Sequence, residues 1–455
     1  MKLALVSYDA FQGRTTGLYP PLHLCNLATT LGAAQIETRV FDYAGPFAGI
    51  DAFFREVGEY RPDLVGLTSY TPYLGPFHKL TKELRSHVKD AVMVVGGAHP
   101  TAWPEWTLQK MPQFDYAMAG ECDRAIVSLA RMVGGEGSEA NVPGLVFRQE
   151  GTVRVNECDV IDSLDDLPQV RREYLDEYYR RKMYWDMAGR GKLDMMITSR
   201  GCPYRCSFCF KVAPRFRCRS APHVLEEFEM LKRRGVRSIH VQDDAFTANK
   251  RRCIDICDEL IRRRYRFDLK VRSRVNSVDE ELLRKMKAAG VRQIIYGFES
   301  GSQVVLDSMN KKTTVEMNRR AVDLTKKVGI ACYGEIMVGM PGETPDTVNE
   351  TLAFLLEKKP IVGYIPVLYP LPTTAVYERA KKDGTLMGDW DVDGSYPWVK
   401  LPWAHTRADI VAEASRLSRA AHWDPGTMWY FLKKHLRTMS WRQFLFLVRF
   451  ALKRR

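Results

Sequence analysis

The sequence lacks long hydrophobic runs. No stretch of about 18 uncharged apolar residues occurs in the 455-residue chain, which predicts that no helix spans a membrane. The opening residues Met1–Val6 form too short an apolar run for a secretory signal and predict a strand. Low-complexity segments and short repeats are absent. We therefore expect a cytoplasmic protein whose ten cysteines stay reduced and act as metal ligands, nucleophiles or small core residues.

Acidic residues are missing from the end of the chain. No acid follows Asp424, whereas eight basic residues lie between Lys433 and Arg455, so most of the net charge of +13 lies in this tail. Apolar residues at helical spacing indicate a basic amphipathic helix there. Such a helix either lies on an anionic membrane surface or docks on its own domain. Because the remaining chain carries little excess charge, nucleic acid is not an expected partner.

The composition is that of a globular protein. Hydrophobic residues make up 45% and charged residues 27%, and this length predicts several domains of roughly 100–200 residues each. We expect an α/β domain over residues 1–140, a connector over 141–190 and a second α/β domain over 191–380. A small, mainly helical region follows over 381–455. Its many tryptophans suggest that it covers an apolar surface or a substrate.

The first domain alternates strand and helix patterns. The strand-like runs are Lys2–Ser7, Thr38–Tyr43, Asp63–Ser69, Ala91–Gly96 and Tyr116–Ala119. This order predicts right-handed crossovers and a doubly wound, Rossmann-like parallel sheet, which binds ligands beyond the carboxyl ends of its strands. The polar and glycine residues at those ends are Ser69, Tyr70, Thr71, Gly96, Gly97, His99, Gly120 and Glu121. The glycines would let the backbone approach a large flat ligand.

A second alternating series begins at Leu193. Its predicted strands are Leu193–Thr198, Ser238–Gln242, Asp268–Arg274, Gln293–Gly297, Ala331–Val338 and Gly363–Leu368, with helices near 222–235, 249–264, 279–289, 303–328 and 344–358. Six β/α units in this length indicate a partial (β/α)6 barrel. The active site of such a barrel lies at the carboxyl ends of its strands.

Three cysteines follow the first strand of this series. Cys202, Cys206 and Cys209 have C-x3-C-x2-C spacing on a loop that opens with Gly201. Soft thiolates suit iron–sulfur centres, and three of them would leave the fourth iron of a cubane open to a ligand. Zinc is the alternative, but a structural zinc site needs a fourth ligand, for which Cys218 is the nearest candidate.

The cysteine loop, with Phe208 before its last cysteine, resembles the signature of radical S-adenosylmethionine (SAM) enzymes. The segments at 241–246, 272–276, 296–302 and 338–344 resemble the large subgroup that has a cobalamin-binding domain ahead of the radical domain. The segments at 20–24 and 95–100 resemble the cobalamin domain of that subgroup. Together these likenesses cover roughly residues 1–380.

The resemblance implies the cofactors and their ligands. The three cysteines would bind a [4Fe–4S] cluster whose open iron chelates SAM. The implied SAM contacts are Phe208 at the adenine side, Asp243 or Asp244 at the ammonium, Arg274 at the carboxylate, Glu299 and Ser300 at the ribose, and the Gly339–Gly342 backbone, including Pro341, near the adenine. Cobalamin would bind at the strand ends of the first domain. The sequence has no D-x-H-x-x-G motif, as is general in this subgroup, and His99 fits local hydrogen bonding better than metal ligation.

The resemblance also implies the activity. A 5′-deoxyadenosyl radical would remove hydrogen from an unactivated carbon of a small-molecule or lipid-like substrate, such as a natural product or tetrapyrrole, which then takes a methyl group from cobalamin. An external one-electron reductant of the flavodoxin or ferredoxin type would be the redox partner. The same cofactors without methyl transfer would support cyclisation or oxidation. A non-enzymatic iron–sulfur electron carrier or sensor is the remaining alternative, although it would need a fourth protein ligand.

Overall fold

The computed structural model describes residues 1–8, 17–43, 49–181, 184–186 and 189–422. The strands within these ranges are β1 (Lys2–Tyr8), β2 (Gly17–Leu18), β3 (Glu37–Tyr43), β4 (Leu64–Thr68), β5 (Val92–Gly96), β6 (Tyr116–Met118), β7 (Leu145–Gln149), β8 (Thr152–Val155), β9 (Trp185–Asp186), β10 (Leu193–Met196), β11 (Ser199–Arg200), β12 (Arg217–Cys218), β13 (Ser238–Val241), β14 (Asp268–Ser273), β15 (Val291–Glu299), β16 (Ala331–Ile336), β17 (Ile361–Val362), β18 (Leu386–Met387) and β19 (Trp398–Val399).

The helices pack mainly on the faces of the two larger sheets. They are α1 (Leu22–Ala33), α2 (Ile50–Glu59), α3 (Leu74–His87), α4 (Ala98–Ala102), α5 (Pro104–Lys110), α6 (Ala125–Val133), α7 (Asp176–Arg180), α8 (Ala221–Arg233), α9 (Lys250–Arg262), α10 (Glu280–Ala288), α11 (Gln303–Ser308), α12 (Val315–Lys327), α13 (Pro345–Lys358), α14 (Ala375–Lys382) and α15 (Arg407–His422).

The first sheet has the strand order β3-β1-β4-β5-β6-β7-β8. Its first five strands are parallel, and alternate residues of β1 enter two separate cores: Leu3 and Leu5 pack with α1 and α6, whereas Ala4 and Val6 pack with α2, α3 and α5. This arrangement confirms the doubly wound prediction. Helices on both faces explain why the parallel strands are apolar throughout.

The first sheet extends beyond its parallel strands. Strands β7 and β8 lie in the segment that the sequence assigned to a connector, and both pair antiparallel. Glu150 and Gly151 join them as a two-residue loop with positive φ at both positions (49° and 77°), the backbone that favours a tight hairpin. Glycine is the residue that adopts this backbone readily. Because the first of the two positions is Glu150, the Glu150–Gly151 pair was a weak sequence signal for the turn.

The second sheet has the order β10-β13-β14-β15-β16-β17, with every pairing parallel. This confirms the partial barrel of six strands. One predicted helix, 303–328, is wrong as a single element: it divides into α11 and α12, because Asn310 and Lys312 between them take positive φ values. The predicted sixth strand, 363–368, is also displaced: β17 is Ile361–Val362, and Val367 forms a separate bridge with Val338.

The described part of the region after residue 380, residues 381–422, contains strands as well as helix. Strands β18 and β19 form an antiparallel pair, and α15 is the helix that follows them among the described residues. The predicted basic amphipathic helix lies outside the described residues. No helix in the part of the chain that the structure describes is long and apolar enough to cross a membrane.

The carboxyl edges of the two sheets meet. Beyond β6, Glu121 and Asp123 form ion pairs with Arg217 and Arg200 of the β11–β12 pair, at 2.7 Å in both cases. Tyr19, which follows β2, lies with its ring centroid 5.3 Å from that of His240 on β13. Residues that follow strands in either sheet therefore share one region of the molecule, which is where α/β sheets bind their ligands.

Candidate functional site

The cysteine loop is held at both ends and along its length. It leaves β11 through Gly201, whose φ is +75° and whose added Cβ would lie 2.5 Å from the carbonyl oxygen of Arg215, so that glycine is required there. Antiparallel pairing of β11 with β12 closes the loop. In the middle, the amide of Ser207 donates to the carbonyl of Met309 at 2.8 Å, and its carbonyl accepts from the amide of Val376 at 2.9 Å.

The three thiols share this loop. Cys202 and Cys206 are half-buried and Cys209 is more exposed. Burial, followed by the neighbouring Cys206, raises the pKa of Cys209 to about 12, with Cys202 adding to the rise. A cationic cluster would relieve the repulsion between three thiolates. Within the described residues, no group of three His, Cys, Asp or Glu side chains closes around a single metal ion.

Arg274 contacts the loop directly. Its Nη1 lies 3.4 Å from Cys206 Sγ, its Nη2 donates to the carbonyl of Lys311, and its guanidinium lies 3.7 Å from the ring centroid of Tyr204. A planar cation that stacks on an aromatic ring and donates in several directions suits arginine rather than lysine. The sequence placed Arg274 at the SAM carboxylate, and the structure brings it to the cluster loop. Tyr204 was missed, although it lies inside the motif.

Glu299 lies beside this arginine contact. Its Oε1 accepts from Lys311 Nζ at 2.8 Å, and both side chains are buried. Gly297, just before it, has no room for a side chain, because an added Cβ would lie 2.3 Å from Glu299 Oε1. Lys311 is also 6.0 Å from the ring of Phe208. Sequence reasoning missed Lys311, since nothing distinguishes it from the other lysines of the chain.

The two adjacent aspartates have different surroundings. Asp243 is fully buried, and its carboxylate accepts from the Thr198 amide (2.6 Å), the Thr198 hydroxyl (2.5 Å) and the Ser199 amide (3.0 Å). It therefore ties the end of β13 to the start of the cysteine loop. Asp244 is exposed as a residue, and partial burial of its carboxyl group, followed by the charge of Asp243, raises its pKa. Of the two predicted ammonium acceptors, Asp244 is the one whose carboxylate stays accessible.

Ser300 is engaged inside the fold. Its hydroxyl lies 3.0 Å from the Thr351 hydroxyl on α13 and accepts from the Ser302 amide at 3.0 Å. The serine is 1% exposed, so these contacts hold the loop after β15 against α13. The sequence had placed this hydroxyl at the ribose; the structure leaves Glu299 as the polar side chain closer to the cysteine loop.

The predicted adenine segment follows the fifth barrel strand. Gly339 has a φ of +102°, and its amide donates to Glu343 at 2.5 Å. Burial raises the pKa of Glu343 to about 7. Met340 of the same segment belongs to a small apolar cluster that Phe208 contacts, and Pro341 is half-buried beside it. The structure thus brings Phe208 close to Met340 of the glycine segment, and the role of both at the adenine stays a prediction.

The first sheet presents neutral groups at its edge. Thr71 Oγ1 lies 3.1 Å from His99 Nδ1, and Trp106 packs edge-on against the imidazole. Burial lowers the pKa of His99 to about 3, so the ring is neutral. His99 Nε2 and Ser69 Oγ are buried, and the described residues offer neither atom a hydrogen-bond partner. Unpaired buried polar atoms are costly and indicate a ligand or water.

Among the remaining predicted residues of this edge, Gly97 and Gly120 are held by contacts within the fold, whereas Gly96 and Tyr70 stay open. Gly97 has a φ of +102° and its added Cβ would lie 2.7 Å from Thr68 Cγ2, so this turn requires glycine. Gly120 donates its amide to Thr101 Oγ1 at 3.0 Å. Gly96 has no atom closer than 3.8 Å to its added Cβ, and Tyr70 is exposed. These residues leave backbone and ring surface open at the edge of the sheet, as a large flat ligand requires.

Glu121 does not share that environment. It accepts from both Nη atoms of Arg217 at 2.7 and 2.8 Å and from the Ile161 amide at 3.3 Å. Burial raises its pKa, but the hydrogen bond from Arg217 and the charge of Arg200 outweigh burial, and the net pKa is lowered. The sequence grouped Glu121 with the cobalamin contacts; the structure uses it to join the first sheet to the cysteine loop.

Comparison with known proteins identifies both halves of the chain. Residues 196–355 match the model of the radical SAM superfamily, and residues 11–130 match that of the B12 binding domain. These domains imply a [4Fe–4S] cluster, SAM and cobalamin as cofactors, which decides between the cluster and the zinc alternative. The three cysteines fit the cluster, and the two unpaired polar atoms beside glycine-rich turns fit a bound corrinoid.

Relatives match across both domains. An uncharacterized methyltransferase of Pyrococcus horikoshii is 28% identical over 381 residues, which cover 82% of this chain and 80% of the relative. The anaerobic magnesium-protoporphyrin IX monomethyl ester cyclase of Cereibacter sphaeroides is 25% identical over 447 residues, which cover 96% of this chain and 71% of the cyclase.

The fold also has a solved counterpart. The radical SAM methyltransferase TsrM from Kitasatospora setae, with cobalamin and a [4Fe–4S] cluster bound, superposes with a TM-score of 0.77 at 21% identity and covers 93% of this chain and 89% of its own. At 21% identity this likeness shows the fold alone. The two domain matches, which together span more than half of the chain, show that it is an enzyme of the cobalamin-binding radical SAM family.

Proposed function

We propose that this enzyme transfers a methyl group to an unactivated carbon of a small-molecule substrate. The observation that carries the proposal is the contact between the two sheet edges through Glu121 and Arg217, because the cysteine loop follows strands of one sheet, and Thr71 and His99 follow strands of the other. When bound, the cluster with SAM supplies hydrogen-abstracting radical chemistry, and cobalamin supplies methyl transfer. Both groups must act on one substrate, so their sites have to face a common space.

The residues of the chain hold the cysteine loop and the first sheet in position relative to each other. Arg274 holds the cysteine loop at Cys206, and Asp243 holds the start of the loop at Thr198 and Ser199. Asp244 remains open to accept hydrogen bonds from the ammonium group of SAM. Across the interface, Glu121 and Arg217 fix the first sheet relative to the loop. Rigid support of this kind keeps reacting groups within the short distances that radical transfer needs.

Cyclisation or oxidation without methyl transfer is a second candidate. It is favoured by one observation, the likeness to the Cereibacter sphaeroides cyclase over 96% of this chain. The two reactions differ in their by-products. Methyl transfer converts one SAM to S-adenosylhomocysteine and a second to 5′-deoxyadenosine, whereas cyclisation forms 5′-deoxyadenosine alone. In either case we propose an external flavodoxin- or ferredoxin-type protein as the electron donor.

The test is anaerobic reconstitution with iron, sulfide and hydroxocobalamin, followed by incubation with trideuteromethyl-SAM, a strong reductant and charge-fractionated small-molecule extracts. We expect both by-products and a substrate ion that gains a trideuteromethyl group. Formation of 5′-deoxyadenosine without S-adenosylhomocysteine would favour cyclisation. The variant Cys206→Ala should lose iron and at least about 100-fold of the 5′-deoxyadenosine, whereas Cys158→Ala, an exposed cysteine outside the loop, should keep both.

A further inference from the structure

The inner face of the second sheet is polar. Alternate residues of β13 to β16 face the helices and join the apolar core: Ile239, Val241, Leu269, Val271, Ile294, Tyr296, Cys332 and Ile336. The residues between them face the inside of the curved sheet and include His240, Gln242, Lys270, Arg272, Tyr333 and Glu335. Barrel interiors that serve only as cores are filled by branched aliphatic residues. This interior is therefore suited to a polar ligand.

The deeper layer of this interior is closed by its own contacts. Lys270 Nζ lies 3.1 Å from Asp186 Oδ2 and 3.2 Å from the Tyr19 hydroxyl, which also donates to Asp186. Tyr19 packs against His240 in turn. Asp186 is buried and Lys270 is largely buried, and the two charges compensate each other. We interpret this layer as the floor of the interior.

Above the floor lies an ion pair that solvent reaches. Arg272 Nη1 is 2.9 Å from Glu335 Oε1, and the two side chains are 36% and 48% exposed. They stand on β14 and β16, on either side of β15. On β15, Ile295 is in register with Arg272, and Gly297, which has no side chain, is in register with Glu335. Unlike the floor, this pair has hydrogen-bonding positions left for a ligand.

The pair also adjoins the cofactor edge. Arg272 is close enough to Asp244 to oppose the rise in its pKa, and Asp244 in turn influences the pKa of Cys202 and Cys209. On the floor side, His240 is 4% exposed and its Nδ1 lies 3.0 Å from the Gln242 amide nitrogen. Its Nε2 has no hydrogen-bond partner within the described ranges. A ligand between floor and cysteine loop would thus meet an unpaired imidazole nitrogen and both members of the ion pair.

We propose that Arg272 and Glu335 bind the substrate, and that the substrate is a zwitterion of the α-amino-acid type. Its carboxylate pairs with the Arg272 guanidinium and its ammonium with the Glu335 carboxylate, while His240 Nε2 takes a further polar group. The proposal rests on the proposed function, whose substrate it specifies.

Charge balance is the reason for choosing a zwitterion. A ligand with both charges replaces each partner of the pair, so that neither side chain is left uncompensated when the site closes. A ligand with one charge leaves the other member of the pair covered and unpaired, which is costly. An apolar ligand strips water from both groups and returns no hydrogen bond. Carboxylates also match the planar donor geometry of arginine.

The test measures ligand binding to the reconstituted holoenzyme through its thermal unfolding midpoint. The probes are the standard L-amino acids one at a time, the corresponding amino acid amides, which lack the carboxylate, and the corresponding carboxylic acids without the amine. We expect at least one amino acid to raise the midpoint and its amide and deaminated acid to fail. The variants Arg272→Met and Glu335→Gln should each weaken that binding by roughly 10-fold or more.

The chain offers a matched control. Arg319 and Glu357 form an ion pair at 3.0 Å whose side chains are also 36% and 48% exposed, on the outer helices. Arg319→Met and Glu357→Gln should leave amino acid binding unchanged. The proposal is overturned if no amino acid binds, if amides bind as well as acids, or if the Arg272 and Glu335 variants bind like the wild type.

Two further measurements distinguish this proposal from two other outcomes: that the ion pair binds SAM, and that the proposed methyl transfer fails. Cleavage of SAM to 5′-deoxyadenosine without substrate should persist in Arg272→Met; if it disappears while amino acid binding is unaffected, the pair serves SAM and the inference is wrong. If amino acids bind as expected but no S-adenosylhomocysteine forms with them, methyl transfer fails as the proposed function, whereas the binding assignment stands.

Discussion

The edge of the second sheet differs in electrostatic character from the part of the first-sheet edge that follows β4 and β5. At the edge of the second sheet, the groups around the cysteine loop are charged and paired with each other, as Lys311 is with Glu299. At the edge of the first sheet, Thr71, His99 and Ser69 are neutral, and two of their polar atoms have no partner among the described residues. Both edges follow from the same βα pattern, so the difference lies in the side chains and not in the architecture.

The difference corresponds to the cofactors that the two domains imply. A cluster held by thiolates and a zwitterionic, sulfonium-bearing SAM need compensating charges, which a buried edge can supply only as balanced pairs. Cobalamin carries many amide groups on a large flat ring, and neutral hydrogen-bonding atoms beside glycine turns satisfy such a surface. Fixed charges at that edge would be desolvated without compensation.

The largest effect is expected from breaking a charged pair of the second edge. Lys311→Met leaves Glu299 buried without its cation, and loss of one partner of a buried pair costs about 3–5 kcal/mol. Urea unfolding should show this loss. As a control, Lys358→Met removes the cation from a pair with Asp323, whose side chain is 58% exposed, and should leave the midpoint close to that of the wild type. Equal midpoints for the two variants would contradict the view that the Glu299 charge depends on Lys311.

A smaller effect is expected at the junction between the edges. Glu121→Gln should lower the free energy of unfolding by about 1–3 kcal/mol at pH 7, because Arg217 loses the carboxylate charge and one of its two acceptor oxygens. The pKa of Glu121 is lowered in the fold. Its stabilisation is therefore present above about pH 4.3, the usual glutamate pKa, and is lost as the pH falls through the lower folded pKa.

Urea midpoints at pH 7 and at acidic pH check this expectation. The difference between wild type and Glu121→Gln should shrink towards the acidic end. Glu316→Gln changes a side chain that is 80% exposed and should leave the midpoint unchanged at both pH values. A difference that stays constant with pH would mean that packing, rather than the charge of Glu121, stabilises the junction.

The smallest effect is expected at the neutral edge. Thr71→Val keeps the shape of the side chain but removes the hydroxyl that lies 3.1 Å from His99 Nδ1. The imidazole then loses its orientation, and cobalamin affinity should fall by about 2–10-fold, since one neutral hydrogen bond is worth about 0.5–1.5 kcal/mol. Equilibrium dialysis with hydroxocobalamin measures this. Thr107→Val, which removes a helical hydroxyl bonded to Trp103, should not change the affinity.

Local sequence patterns were enough to predict a large part of the candidate site. The C-x3-C-x2-C spacing of Cys202, Cys206 and Cys209 and the polar residues after Thr68 and Gly96 were visible because they are short in sequence and bounded by strands. Functions that depend on distant partners were not visible. Asp243 and Asp244 are adjacent and chemically identical, and only the contacts of Thr198 and Ser199 with Asp243 distinguish them.

The amino acid order alone specified the two βα series, the ends of their strands and the cysteine loop, because hydrophobic periodicity and ligand spacing act over a few residues. The tertiary structure decided which charges meet: Arg274 with Cys206, Lys311 with Glu299, Glu121 with Arg217. These partners lie 68, 12 and 96 positions apart. Electrostatic pairing depends on distance in space, and that distance exists only once the sheets have folded and their edges have come together.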